Sequence, residues 1–149
     1  MTITICGSIA FIDEMYALKA GLEKKGFEVL IPPSQVPGEN GELIDAKEYY
    51  KHKKSSPKER NWIWSHHSDR IHAHFDKVAK GDAILVANYD KNGITNYIGP
   101  NTLMEMGLAF HLRKPIYLLN PIPEISYTEE IRGMTPIVIK GNFDAIQIP

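Results

Sequence analysis

The chain has 149 residues, of which 43% are hydrophobic and 23% charged, and this balance excludes a disordered chain or a fibre. Its 17 Lys and Arg residues nearly balance its 18 Asp and Glu residues, so polymeric nucleic acid, which requires concentrated positive charge, is not an expected partner. One cysteine cannot form an internal disulfide, and no apolar run is long enough for a signal sequence or a membrane span. We therefore expect a cytoplasmic protein without membrane contact.

The first part of the chain predicts a strand, a helix and a second strand. Thr2–Ile5 is rich in β-branched residues and is followed by a tight turn at Cys6-Gly7-Ser8. Residues 11–25 carry apolar side chains at helical spacing, and Gly26 stands where a helix C-cap is expected. Residues 27–31 then predict the second strand.

Segment 33–60 interrupts this alternation of strands and helices. It contains several prolines and glycines and a run of lysines, with a short helix predicted at about 43–50. Long loops in compact domains often serve as lids or binding loops, so we interpret 33–60 as a lid-like excursion. A solvated linker is the alternative interpretation.

The second half of the chain returns to regular elements. The pattern predicts a helix at 61–80, an apolar strand at Ala83–Ala87, a loop at 89–100, a helix from Asn101 or Thr102 to about Leu112, strands at 115–119 and 137–139, and a helical segment at 128–133. Strands that alternate with helices predict a single α/β domain over 1–149, with a parallel sheet covered by helices on both faces.

Ligands of such sheets bind outside the carboxyl ends of the strands, where the strand order reverses. We therefore expect the turn at 6–8, the loop at Asn88-Tyr89-Asp90 and the helix that starts near Asn101 to surround one crevice. The main-chain N–H groups of Gly7 and Ser8 are positioned to receive a phosphate or sugar oxygen, although the later glycines of the dinucleotide fingerprint are missing.

Glu105 is the strongest candidate for a catalytic residue. It lies near the predicted start of a helix among apolar neighbours, where the helix dipole favours the ionised carboxylate and burial opposes it. A reciprocal cap with Asn101 or Thr102 explains the same spacing, so both interpretations stay open.

Four histidines, at positions 66, 67, 72 and 74, do not follow a metal-binding pattern. The sequence therefore predicts no metal site and no cofactor.

Three segments together resemble the nucleoside 2-deoxyribosyltransferase family, which includes the 2'-deoxynucleoside 5'-monophosphate N-glycosidases. They are Gly7-Ser8-Ile9, the segment 81–87, and Leu103–Ala109 followed by Lys114-Pro115. The resemblance implies a flavodoxin-like (Rossmann-like) fold and a homodimer or higher homo-oligomer with shared active sites. It also implies that Glu105 is a nucleophile that attacks the anomeric carbon and expels the base.

Several positions depart from the family pattern. His74 replaces the aspartate expected on the preceding helix, and we interpret it as the acid that protonates the leaving base. Gly99 replaces the second aspartate of the transferases, with Asp90 as a candidate substitute, which favours hydrolysis over base exchange. Ala10 replaces a phosphate-binding arginine. Thr128 matches the phosphate-binding serine that a neighbouring subunit contributes.

We therefore predict cleavage of the N-glycosidic bond of a nucleoside or nucleoside 5'-monophosphate, through a covalent glycosyl intermediate on Glu105 with His74 as acid. The predicted substrate-binding residues are Gly7, Ser8, Ile9, Asn88, Asp90, Gly99, Asn101 and Thr128. A non-catalytic nucleotide-binding or sensor module is the alternative, and glycohydrolase action on a dinucleotide or modified nucleoside is a third possibility.

Overall fold

The computed structural model describes residues 1–55 and 61–147 of the chain. In chain order its elements are β1 (Thr2–Cys6), α1 (Ile12–Lys24), β2 (Glu28–Leu30), β3 (Gln35–Pro37), β4 (Leu43–Asp45), α2 (Ala46–Ser55), α3 (Asn61–Lys80), β5 (Ala83–Val86), α4 (Pro100–His111), β6 (Ile116–Leu118), α5 (Thr128–Gly133) and β7 (Ile137–Val138). Short 3-10 helices occupy Ile9–Phe11 and Phe143–Ala145.

The main sheet has the strand order β2-β1-β5-β6-β7, and every pair of neighbouring strands in it is parallel. Its strands, numbered by their order along the chain, thus run 2-1-3-4-5, which is the flavodoxin-like order. The predicted α/β class and parallel sheet are confirmed. From β1 the chain adds β2 on one side of the sheet, and it then adds β5, β6 and β7 on the other side. The point at which the strand order reverses therefore lies between β1 and β5, at their carboxyl ends.

The central strands are buried on both faces, because helices cover each side of the sheet. Leu85 points to the side on which Met15 of α1 packs, whereas Val86 points to the side on which Met106 of α4 packs. This alternation follows the two-residue period of a strand and places every side chain of β5 in one of the two cores.

The predicted excursion is an antiparallel hairpin of β3 and β4, followed directly by α2. The helix therefore starts three residues later than the predicted residue 43, because Ile44 pairs with Val36 and Asp45 accepts hydrogen bonds from main-chain N–H groups of the first turn. Tyr49 of α2 packs against this hairpin and donates its hydroxyl proton to the carbonyl of Ile63, 3.0 Å away. Part of the excursion, residues 56–60, lies outside the described residues.

Two helix starts bear directly on the site. Helix α3 spans the predicted 61–80, but α4 begins at Pro100 rather than at Asn101 or Thr102. Gly99 is the N-cap of α4, and no side chain caps this end. Pro100, at the first helical position, has no N–H, so one of the donors that a cap would otherwise satisfy is absent. Glu105 is therefore in the second turn, and the interpretation of Glu105 as a reciprocal cap is wrong.

The lengths and compositions of the helices decide whether any of them could cross a membrane. Within 1–55 and 61–147, no helix combines the length and the apolar character that crossing a bilayer requires.

Candidate active site

A pocket of about 450 Å³ opens at the carboxyl ends of β1 and β5. Its walls come from the turn after β1, from α2 and α3, and from the first turns of α4. The volume is in the range of small-molecule sites, and the place is the switch point at which open α/β sheets bind their ligands. The predicted crevice is therefore present.

The structure brings together most of the residues predicted for the site. Those lining the pocket are Gly7, Ser8, Ile9, His74, Gly99, Asn101 and Glu105. Asn88, Asp90 and Thr128 do not line it, and each of them uses its side chain elsewhere.

Asn88 is fully buried and joins the ends of two strands. Its amide donates hydrogen bonds to the carbonyls of Asn120 and Pro121, at 2.9 and 3.1 Å, and its Oδ1 accepts one from the Asn120 N–H. Asn88 is thus a structural residue between the segments that follow β5 and β6. Asp90 is exposed, and its Oδ1 accepts a hydrogen bond from the N–H of Asn96.

Thr128 lies at the first position of α5 and is nearly buried. Its hydroxyl accepts a hydrogen bond from the N–H of Ile125 and contacts the carbonyl of Pro123, each at 2.8 Å. The predicted contact of Thr128 with the pocket of a neighbouring subunit stays a prediction.

Glu105 forms part of the pocket floor, on the face of α4 that packs toward the sheet. Its side chain is 12% exposed, and the adjacent Met106 is fully buried. Burial raises the pKa of the Glu105 carboxyl from 4.5 to about 8, while a hydrogen bond from the thiol of Cys6 opposes this rise. The carboxyl group is consequently protonated at neutral pH.

His74 of α3 faces Glu105, with 3.9 Å between its Nε2 and Oε2 of the glutamate. Burial, and to a smaller extent the charge of Lys77, lowers the pKa of His74 from 6.5 to about 4, and the carbonyl of Ile5 opposes this change. Neither imidazole nitrogen meets the geometry of a hydrogen bond with any described residue. The pocket floor therefore holds a neutral imidazole that lies near both the Glu105 carboxyl and the Ile5 carbonyl.

Cys6, at the end of β1, lies behind the pocket floor and completes a group of three with Glu105 and His74. It is fully buried, and burial together with the neighbouring Glu105 raises the pKa of its thiol. One ligand atom from each of Cys6, His74 and Glu105 can be chosen so that all three lie within 4.8 Å of one another. Sequence reasoning did not select Cys6 as a site residue, although it directly precedes Gly7 and Ser8.

Several cationic groups lie at or beside one wall of the pocket, whose lining is otherwise mainly apolar and aromatic. Lys91, from the loop after β5, donates hydrogen bonds to Ser8 Oγ at 2.8 Å and to the Tyr50 hydroxyl at 3.3 Å. The ammonium groups of Lys53 and Lys54 each lie 5.0 Å from the centre of the Tyr50 ring. Burial alone would raise the pKa of Tyr50, but hydrogen bonds from Lys54 and Lys91 lower it.

Arg70 of α3 adds a further cation to this wall. Its guanidinium lies 3.5 Å above the Tyr49 ring, and one of its nitrogens, Nη2, donates to the carbonyl of Pro37. Its Nε and Nη1 are buried without a partner in the part of the chain that the structure describes. Lys53 belongs to the lysine run of the excursion, whereas no pattern in the sequence indicated Arg70 or Lys91 as site residues.

Comparisons with known proteins give a limited result. No family profile matches the chain, and no curated protein is significantly similar to it. Among solved structures, the chain is similar to the Clostridium botulinum CMP N-glycosidase BcmB, with 19% sequence identity, a TM-score of 0.46, and coverage of 93% of this chain and 85% of that chain. A likeness at this level does not establish an activity, so the chemistry has to be inferred from the pocket itself.

Proposed function

We propose that the protein hydrolyses the N-glycosidic bond of a nucleoside 5'-monophosphate, through a covalent glycosyl intermediate on Glu105. The observation that carries this proposal is the pair on the pocket floor, where the nearly buried carboxyl group of Glu105 lies 3.9 Å from Nε2 of the equally buried His74 imidazole. Among the described residues that line the pocket, Glu105 is the only one with a carboxyl side chain.

The pair has the proton content that this reaction needs. Because the pKa of Glu105 is about 8 and that of His74 is about 4, the two groups together hold one proton between these pH values. Glycosidic cleavage requires one group as nucleophile and a second to protonate the leaving group, so a pair holding one proton satisfies both requirements.

In the first step, the Glu105 carboxyl passes its proton to His74 Nε2 as the pair closes on substrate, and the carboxylate attacks the anomeric carbon. The bond between that carbon and the base nitrogen breaks. The imidazolium then gives its proton to the departing base, leaving a glycosyl ester on Glu105 and a neutral His74. The 3.9 Å separation is longer than a hydrogen bond, as is common before substrate tightens a catalytic pair.

In the second step, water attacks the anomeric carbon of the ester while His74 accepts one of its protons. The bond from the sugar to Glu105 breaks, the free sugar carries the new hydroxyl group, and the proton returns to the carboxylate. The pair is thereby restored. Gly99 supplies no second carboxylate to hold an incoming base, and this supports hydrolysis over base exchange.

The cationic wall supports a phosphate on the substrate. Ser8 Oγ already accepts hydrogen bonds from Lys91 and from the N–H of Ala10, so its own proton is available to a ligand. Lys53, Lys91 and the two unpartnered nitrogens of Arg70 add charged donors in the same pocket. Together they supply the positive charge that is missing because Ala10 replaces the phosphate-binding arginine of the family pattern.

The test is base release, measured by chromatography, from ribo- and deoxyribonucleosides and their 5'-monophosphates, with and without a second free base. We expect release from the monophosphates without the second base, loss of release in Glu105→Gln, and normal release in Glu129→Gln, a matched change at an exposed glutamate. Mass spectrometry of the quenched reaction should find the sugar on the peptide that contains Glu105. Monophosphate binding with no release would instead indicate the non-catalytic binding module.

A further inference from the structure

The group formed by Cys6, His74 and Glu105 offers one sulfur, one nitrogen and one oxygen to a common point. These are the three ligand types that zinc takes from proteins. Zinc bonds of about 2.0 to 2.3 Å in a tetrahedral site place any two ligand atoms about 3.3 to 3.8 Å apart. The Glu105 and His74 atoms are 3.9 Å apart and all three lie within 4.8 Å, so movements of about 1 Å would complete the geometry.

His74 supplies an independent sign that a ligand is needed. It is about nine-tenths buried, and its Nε2, which lies 3.9 Å from Glu105 Oε2, makes no well-formed hydrogen bond with the residues described. A buried polar atom without a partner destabilises the fold, so such atoms are rare in native proteins. Nε2 is directed at the group, and a bound cation would satisfy this nitrogen.

An ion can reach the group from the pocket. Glu105 and His74 both line the cavity, whereas Cys6 lies behind them and is fully buried. Three protein ligands would then hold the ion from below, and the fourth position would face the pocket and take water. This is the arrangement of zinc sites with an open position rather than of closed structural sites.

We propose that Cys6, His74 and Glu105 form a binding site for one zinc ion at the floor of the pocket. The inference goes beyond the proposed function, since binding requires no turnover. The two nevertheless exclude each other, because a Glu105 oxygen held by zinc cannot attack the anomeric carbon. Zinc is therefore expected to inhibit glycosidic cleavage, and only this consequence rests on the proposed function.

The test uses the full chain, freed of metal by a chelator and titrated with Co²⁺ and then Zn²⁺ in the absence of nucleotide. Cobalt bound by Cys6 gives a thiolate-to-cobalt charge-transfer absorption that zinc abolishes. We expect one equivalent of each ion per chain. Cys6→Ala should lose the absorption, and Cys6→Ala and Glu105→Gln should each weaken zinc binding by at least about tenfold, measured by competition with a chromogenic chelator.

His72→Gln is the matched control, because His72 is exposed and lies two residues from His74 on the same helix. It should leave the cobalt absorption and the zinc affinity unchanged. No absorption, an absorption that persists in Cys6→Ala, or a loss of affinity in His72→Gln would overturn the proposal. If Cys6→Ala fails to fold, an unchanged zinc affinity in Glu105→Gln overturns it equally. Base release by the chelated protein tests the enzyme separately, so the two proposals can fail independently.

Discussion

Replacing Glu105 with glutamine is expected to stabilise the folded protein increasingly as the pH rises. The carboxyl has a pKa of 4.5 in the unfolded chain and of about 8 in the fold, so the folded state keeps a proton that the unfolded state has lost. The free energy of unfolding therefore decreases by about 1.4 kcal/mol per pH unit between these values, or about 5 kcal/mol in all. Glutamine does not ionise, so the free energy of unfolding of Glu105→Gln lacks this decrease with pH.

His74 contributes a change of opposite sign. Its pKa of about 4 in the fold, against 6.5 in the unfolded chain, means that the unfolded state binds the extra proton in this interval. The free energy of unfolding therefore increases by about 3 kcal/mol as the pH rises from about 4 to 6.5. The contributions of Glu105 and His74 cancel between about pH 4.5 and 6.5, so they are visible only when one side chain is removed.

Urea unfolding from about pH 5 to about pH 8, followed by the fluorescence of Trp62 and Trp64, measures the difference between each variant and the wild type. From pH 5 to 7, the advantage of Glu105→Gln should grow by about 3 kcal/mol. His74→Gln should lose stability relative to the wild type from about pH 5 to 6.5. The exposed control Glu129→Gln should give a flat difference. A flat difference for Glu105→Gln would refute a protonated Glu105 in the fold, and with it the proton shared with His74.

Three further predictions concern catalysis and the fold. The kcat/KM for base release should pass through a maximum between about pH 4 and about pH 8, because the Glu105–His74 pair must hold one proton. A rate that continues to rise above about pH 8 would contradict this. Lys91→Met should raise KM for 5'-monophosphates by about tenfold, because one hydrogen bond to a charged group contributes roughly this factor to affinity. The KM for nucleosides should stay nearly unchanged. Equal effects on both would show that Lys91 does not bind phosphate. Asn88→Ala should lower the free energy of unfolding by about 2 to 3 kcal/mol in urea, because it leaves buried partners such as the Asn120 N–H unsatisfied, and a variant as stable as the wild type would show that these bonds are dispensable.

The sequence predicted those parts of the fold whose signal is local. The apolar period of α3 and the buried run of β5 locate these elements almost to the residue, because each pattern lies within one element. The hairpin of β3 and β4 was missed, since strands of three residues that include Pro37 carry too few residues to show a period. The start of α4 differs from the prediction because Asn101 and Thr102 are typical N-cap residues, whereas the helix begins with Pro100 at its first position.

The site was less accessible from the sequence, because it depends on packing. Glu105 was predicted from its place near a helix start among apolar neighbours, and His74 through a family resemblance, but the presence of Cys6 beside them follows from how α4 and α3 lie on the end of β1. No spacing in the sequence encodes that distance. The cations of the wall come likewise from three separate segments, and a chain with a net charge of -1 gives no overall sign of them.

Lys53 of the pocket wall lies on the excursion, whereas Arg70 and Lys91 belong, like the floor, to the main α/β part of the chain. Cys6, His74 and Glu105 lie on the main sheet and on helices α3 and α4. The hairpin of β3 and β4 and helix α2 are attached to α3 through side chains. Tyr49 donates a hydrogen bond to the backbone of α3 and stacks under Arg70. Because the excursion adds no strand to the main sheet, it can change in length and composition without altering the strand order. Under the proposed function, changes at the pocket-lining residues within 33–55 are therefore expected to alter the choice of substrate while Glu105 and His74 remain in place.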